Sequence, residues 1–272
     1  MKNTSLREAI GSRELAENVA CRARAQAAAY QRFLEERGVP AEALFENLPL
    51  TDKATYLKAS VLEELVGDDF ADTFTVFSSS GSSGHAFYWP QIKASHRTSA
   101  ARFGQFLESA YGVHQRRTLV IVGLALGSWI GGDFFSWLLK SVAINAPYPL
   151  AVFSPGNKHD EIIAMLHSAE GFVDQFILVC CPSAIGHLIL RAEGNDRPLP
   201  LGKMRYLVIG EAFPEMLREG LEKNTPAGNS LMFSVYGSAD TGLLGFESPA
   251  SVILRKICMA DPLVAEDLGS AA

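Results

Sequence analysis

Thr118-Leu119-Val120-Ile121-Val122-Gly123 decides the fold class. The run carries no charge, and its β-branched residues suit an extended, pleated backbone. Its apolar residues are continuous rather than alternating, the pattern of a strand covered on both faces. Similar runs begin at Leu150 (LAVF), Phe176 (FILVCC), Tyr206 (YLVIG) and Leu231 (LMFSVY). Helix-patterned segments separate them, at about 133–144, 158–169, 183–192 and 214–223. Strand starts therefore recur about every 30 residues, the length of a βαβ unit. This predicts an α/β fold with a mainly parallel sheet and helices on both faces. In such open sheets, ligands sit beyond the carboxyl ends of the strands. That rule places Phe77–His85, Gly210-Glu211-Ala212 and Tyr236-Gly237-Ser238 on one rim.

Upstream, residues 5–37 read as helical, broken near Gly11-Ser12 and ended by Gly38-Val39-Pro40. Leu15, Val19, Ala23, Gln26, Tyr30, Phe33 and Leu34 form an approximate apolar stripe at helical spacing. Leu48-Pro49-Leu50-Thr51-Asp52-Lys53 turns into a helix, with Thr51 or Asp52 as N-cap, expected to run to about Val66. A β-prone run, Thr73–Phe77, and a helix over 91–111 follow. The expected division is a helical arm (1–44), an α/β domain (45–250) and a tail (251–272).

The second organising stretch is Phe77-Ser78-Ser79-Ser80-Gly81-Ser82-Ser83-Gly84. Glycine lets backbone N–H groups approach an anion, and serine hydroxyls add rotatable donors. Successive N–H groups in a turn make a concavity suited to phosphate oxygens. By composition alone the stretch is equally a phosphate cradle or a flexible linker. The flanking aromatics, Phe87-Tyr88-Trp89-Pro90 on one side, favour the cradle.

A net charge of −6 with no basic stripe argues against nucleic-acid binding. Cys21, Cys180, Cys181 and Cys258 form no Cys-x-x-Cys, and read as free thiols in a reducing compartment. Met1–Glu8 has no apolar core, so no secretory signal is expected. The uncharged run Thr118–Gly132 falls short of the ~20 residues a membrane span needs. A cytoplasmic protein is the expectation.

Several motifs are absent. Gly84 is followed by His85-Ala86 rather than Gly-Lys-Ser/Thr, which excludes a Walker-type loop. Neither Gly-x-Gly-x-x-Gly nor the Gly-x-Ser-x-Gly elbow occurs, and His85, His96, His114, His159, His167 and His187 show no zinc-protease spacing. Asp133 reads as a helix N-cap in preference to a catalytic acid.

Ser79–His85, the strand–Gly-Glu–helix segment Val208–Arg218 and Tyr236-Gly237-Ser238-Ala239-Asp240-Thr241-Gly242 together resemble motifs of the adenylate-forming (AMP-forming) acyl-CoA synthetase superfamily. The likeness leans toward its phenylacetate–CoA ligase and coenzyme F390 synthetase branch. Leu48–Lys53 is similar to a Pro-Leu-Thr-x-Lys element there, and Cys181-Pro182-Ser183 to the step before the substrate pocket. The resemblance covers about residues 45–247.

It implies the large N-terminal domain of that fold, and activation of an aryl or other apolar carboxylic acid by ATP. Ser79, Ser80, Gly81, Ser82, Ser83 and Gly84 would hold the β- and γ-phosphates. Gly210, Glu211 and Ala212 would line the adenine, and Tyr236 would stack on it. Gly237 and Ser238 would approach the α-phosphate and the acyl carboxylate. Asp240 would coordinate Mg²⁺, and Ser238 with Asp240 would form the catalytic pair. CoA or another thiol would accept the acyl group. Trp129, Gly131 and Pro182 would border the acid pocket, with Phe134, Phe135 and Trp137 as pocket or core residues. Enzymes of this family are often homodimers, and the sequence marks no seam.

Three positions depart from the family pattern. Ala239 replaces the usual Thr, Asp240 the usual Glu, and His85 a common Lys or Glu. The family also carries a small C-terminal lid with a catalytic Lys. This chain ends about 30 residues after Asp240, so the lid is expected to be absent, and the alternative expectation is a nucleotide-binding module that needs a separate lid to turn over.

Overall fold

The computed structural model describes residues 2–78, 87–128, 130–223 and 232–267 of the chain. By its internal contacts the chain divides into two units, Met1–Lys93 and Ala94–Ala272.

The second unit holds a six-stranded sheet. Its strands are β3 (Thr118–Val122), β4 (Leu150–Phe153), β5 (Gln175–Cys180), β6 (Met204–Val208), β7 (Met232–Ser238) and β8 (Gly242–Phe246), in the order β4-β3-β5-β6-β7-β8. The pairings from β4 to β7 are parallel and β7–β8 is antiparallel. α4 (Lys93–Tyr111) precedes β3, α5 (Ile130–Asn145), α6 (His159–Ala169), α7 (Pro182–Glu193) and α8 (Glu215–Glu222) run between the strands, and α9 (Pro249–Ala260) and α10 (Pro262–Asp267) follow β8.

Every residue of β3, β5 and β6 is buried, which is why their sequences read as unbroken apolar runs. Alternate side chains feed opposite cores. Leu119, Ile121, Phe176, Leu178 and Tyr206 pack with Ile162 and Leu166 of α6 and Ile185 and Leu188 of α7. Val120, Val122, Ile177, Val179 and Leu207 pack with Phe103 and Phe106 of α4 and with Phe135, Leu138 and Leu139 of α5. Each fully buried Leu, Ile or Phe stabilises the fold by about 1.5–3 kcal/mol.

The expected helices match α5 to α8 closely, and the expected parallel sheet matches β3 to β7. The antiparallel β8 has no counterpart in the expectation. Its Gly242-Leu243-Leu244-Gly245-Phe246 is diluted by glycine, which weakens a strand signal.

In the first unit, α1 (Lys2–Gln26) and α2 (Ala28–Glu35) are separated at Ala27, whose ψ is 101°. The backbone runs helically through Gly11-Ser12, correcting the expected break there. Gln31 Nε2 donates to Arg24 O at 2.6 Å and so closes the last turn of α1. The expected stripe holds only in α2. Phe33 and Leu34 are buried, whereas Leu15 and Val19 are exposed.

The helix expected over 51–66 is also two pieces. Asp52 caps a π-turn over Lys53–Leu57 by accepting from Ala54 N and Thr55 N at 2.7 and 2.8 Å. Ser60 Oγ then donates to Tyr56 O at 2.8 Å, competing for the acceptor a continuing helix would use. α3 (Leu62–Val66) starts afresh. β1 (Thr73–Ser78) and β2 (Tyr88–Ile92) pair antiparallel, with Ser78 opposite Tyr88. The Ser79–Gly84 run joins these strands and lies outside the described residues.

The start of α5 is seated on backbone. A Cβ on Gly132 would stand 2.0 Å from the Ala125 carbonyl oxygen, whereas one on Gly131 would meet nothing within 4 Å. Gly132→Ala is expected to cost about 1–3 kcal/mol, or roughly 5 °C in thermal midpoint for a unit of this size. Gly131→Ala is expected to leave the midpoint unchanged. A thermal melt of the two variants side by side checks this.

Candidate active site at the carboxyl edge of the sheet

Strand order brings the exits of β3, β5, β6 and β7 side by side. β3 leads toward β4 in one direction, while β5, β6 and β7 extend in the other, so the order reverses between β3 and β5. Ligands of open α/β sheets bind at such a reversal. Gly123 N donates to Val179 O at 2.8 Å, and Ile209 N to Cys180 O at 3.2 Å, tying neighbouring exits together.

Gly210 has φ +91°, a conformation L side chains rarely adopt, and a Cβ there would lie 3.6 Å from Cys181 Sγ. Glu211 reaches across the edge. Its Oε2 accepts from Ser183 N at 3.3 Å, at the N-terminus of α7, where a carboxylate is favoured by unsatisfied N–H groups. Gly210, Glu211 and Ala212 are all exposed. Burial and the Glu211 charge raise the Cys181 thiol above its usual range, and burial raises Cys180 further. Neither thiol has the depressed pKa of a nucleophile. All four cysteines are free.

Tyr236 lies two residues beyond the last β6–β7 pair, Val208↔Ser234, and is 72% exposed. A large aromatic left open on a strand is suited to stacking. Ser238, Ala239, Asp240 and Thr241 form the tip of the β7–β8 hairpin. Ser238 and Thr241 share a hydroxyl hydrogen bond of 2.8 Å, and Thr241 N donates to Ser238 Oγ at 3.2 Å. Asp240 is exposed beside them. A Cβ on Gly237 would come within 2.6 Å of Gly242 O, so the close approach there is to its own hairpin.

The residues expected to border the acid pocket differ in exposure. Gly131 is exposed at the start of α5. Pro182 is buried at the first position of α7, where its ring suits a helix start. Trp129 lies outside the described residues, as do Ser79, Ser80, Gly81, Ser82, Ser83 and Gly84. Phe135 is core and Phe134 packs against the same cluster, whereas Trp137 is 49% exposed. Asp133 lies within the first turn of α5 rather than at the preceding cap position, which corrects the expected N-cap; burial raises its pKa against the pull of Lys140 and Trp137.

Sequence reasoning missed a ring of four charges, three of them no more than 12% exposed. Arg218 is fully buried and Glu215 is 7% exposed. Arg218 Nε donates to Glu215 Oε2 at 2.9 Å, and Nη2 to Glu247 Oε2 at 3.0 Å. Arg255 closes the ring, with Nε 3.0 Å from Glu215 Oε1 and Nη2 on Glu247 Oε1. Each arginine thus meets each glutamate. The one local signal was the Glu215/Arg218 i,i+3 spacing.

No protein-family model matches the chain, and no curated protein sequence matches it. Solved structures do. The fold is shared with 2-hydroxyisobutyryl-CoA ligase. An open conformation of that ligase, in complex with 2-HIB-AMP and CoA, superposes with a TM-score of 0.67 at 17% identity, over 86% of this chain and 54% of the ligase. The thioesterification state gives 0.66 at 18% identity, over 86% and 49%. The postadenylation state, in complex with R3-HIB-AMP, gives 0.64 at 16%, over 84% and 48%. The chain spans about half the length of the structures it matches.

Among the described residues, no cluster of three or more His, Cys, Asp or Glu could hold a metal. Mg²⁺ needs no such cluster, because it commonly takes one or two carboxylates plus substrate phosphates. The exposed Asp240 fits that requirement. No helix among the described residues is long and apolar enough to cross a membrane.

Proposed function

We propose that the carboxyl edge of the sheet binds ATP and activates a carboxylic acid as its acyl-adenylate. The observation that carries this reading is that the exposed Gly210-Glu211-Ala212 turn follows β6 while the exposed Tyr236 lies on β7, the strand paired with β6. The shared fold supports it, since the matched ligase is seen with an acyl-AMP and CoA.

In the proposed reaction a carboxylate oxygen of the acid attacks the α-phosphorus. The bond to the bridging oxygen breaks, and pyrophosphate leaves with that oxygen and its electron pair. A thiol, CoA in the matched ligase, then attacks the acyl carbon, losing its proton as AMP departs. Phosphoryl-type transfer is mostly positioning and charge stabilisation. Tyr236 would stack on the base, and Gly210–Ala212 would line its edge. Ser238, held by Thr241, would present its hydroxyl to the α-phosphate. Asp240 would hold Mg²⁺, which supplies charge neutralisation on the phosphates. The serine-rich run at 79–84 is proposed, on its composition, to grip phosphate. An aryl or other apolar acid is the proposed substrate class.

The test is incorporation of labelled pyrophosphate into ATP over a panel of aryl and aliphatic acids. Acid-dependent exchange is expected. The alternative reading, a nucleotide-binding module that cannot turn over alone, expects ATP binding with no exchange for any acid.

A further inference from the structure

The strand that carries Tyr236 and the loop that carries Gly210–Ala212 part company at one residue. β6 and β7 pair as Tyr206↔Met232, Leu207↔Phe233 and Val208↔Ser234, and no further. Past Ser234 the β6 branch leaves through Gly210, while β7 continues against β8 alone. Beyond this fork no backbone ladder fixes the distance between the two segments.

The charge ring sits at the fork and touches both branches. On the β7 side, Glu247 N donates to Ser234 O at 2.9 Å, and Ser234 N donates to Glu247 Oε2 at 2.7 Å. The ladder is thus closed by a side-chain carboxylate. Arg218 Nη1 also donates to the Met232 carbonyl. On the β6 side, the Arg218 guanidinium lies 5.1 Å from the ring centroid of Phe213, the residue that follows Ala212. Arg218 therefore contacts the loop, the strand and both glutamates at once.

Stability alone is a poor explanation for such a ring, because apolar replacements of buried ion pairs are often as stable. A planar, forked guanidinium does supply fixed geometry that lysine cannot. We propose that the Glu215–Arg218–Glu247–Arg255 ring is a clamp that sets the width of the fork. It makes Arg218 a positioning residue for the nucleotide base. The inference rests on the nucleotide reading above and adds a residue that would touch neither substrate nor metal.

The test compares ATP with tripolyphosphate, which carries the phosphates without the base. Two variants of the full chain are titrated, Arg218→Lys and the gentler Phe213→Leu, which leaves the ring of charges intact. In Arg218→Lys the Kd for ATP is expected to rise about tenfold, equivalent to about 1.4 kcal/mol, with that for tripolyphosphate unchanged. Phe213→Leu is expected to shift the same ratio in the same direction by less. If Arg218→Lys does not fold, Phe213→Leu decides the matter. Equal weakening of both ligands, or unchanged ATP binding in folded variants, overturns the clamp alone. Failure of the unaltered chain to bind ATP overturns the nucleotide reading and the clamp with it.

Discussion

Arg218→Ala is expected to lower the thermal midpoint by about 10 °C. The side chain is fully buried and meets two carboxylates, of which Glu215 is itself buried. Removing one partner of a buried pair leaves the other charge uncompensated, at a cost of about 3–5 kcal/mol. For a unit of this size, each kcal/mol shifts the midpoint by about 2–4 °C. Arg255 remains beside both glutamates, but it is 40% exposed and cannot replace the bond to Met232 O. Calorimetry of the variant checks the expectation. A shift below about 2 °C would show that the ring is wet or already slack.

The second large effect falls on chemistry and leaves stability alone. Asp240→Ala is expected to reduce acid-dependent pyrophosphate exchange by about 10²–10³-fold, the loss typical of removing one charge-stabilising group. Asp240 is exposed at a hairpin tip, and no hydrogen bond or ion pair ties its side chain to another of the described residues. The thermal midpoint should therefore move within the range of an ordinary surface change, about ±0.5 kcal/mol. Loss of exchange with an unshifted melt is the expected pair of results. Undiminished exchange would remove Asp240 from the site and leave the hairpin without a charged role.

The strands were legible in the sequence because burial on both faces writes itself as continuous Leu, Ile and Val. Leu178 faces one core and Val179 the other, so neither position tolerates a charge. The rim turn was legible for a related reason. Gly210 needs a positive φ, and glycine directly after an apolar run marks where a strand ends. What the pattern could not carry was pairing at long range. Glu247 and Arg255 look like solvated surface charges in sequence, and only the folded chain brings them to Arg218. The break at Ser60 was hidden likewise, since a serine bonding back to Tyr56 O reads like any polar helix position. Leu15 and Val19 show the opposite error, an apolar spacing whose residues remain exposed.

Gly132 and Gly131 show how the same residue type separates into two roles once packing is known. The first is fixed by the Ala125 carbonyl, whereas the second has open space where a side chain would go.

Photolabelling with 8-azido-ATP, followed by peptide mapping, tests the central proposal most directly, because the reactive group sits on the base. Attachment is expected within 209–213 and at or next to Tyr236, suppressed by excess ATP. Saturable labelling confined to other parts of the chain, or none that ATP suppresses, would contradict a nucleotide site at this edge of the sheet.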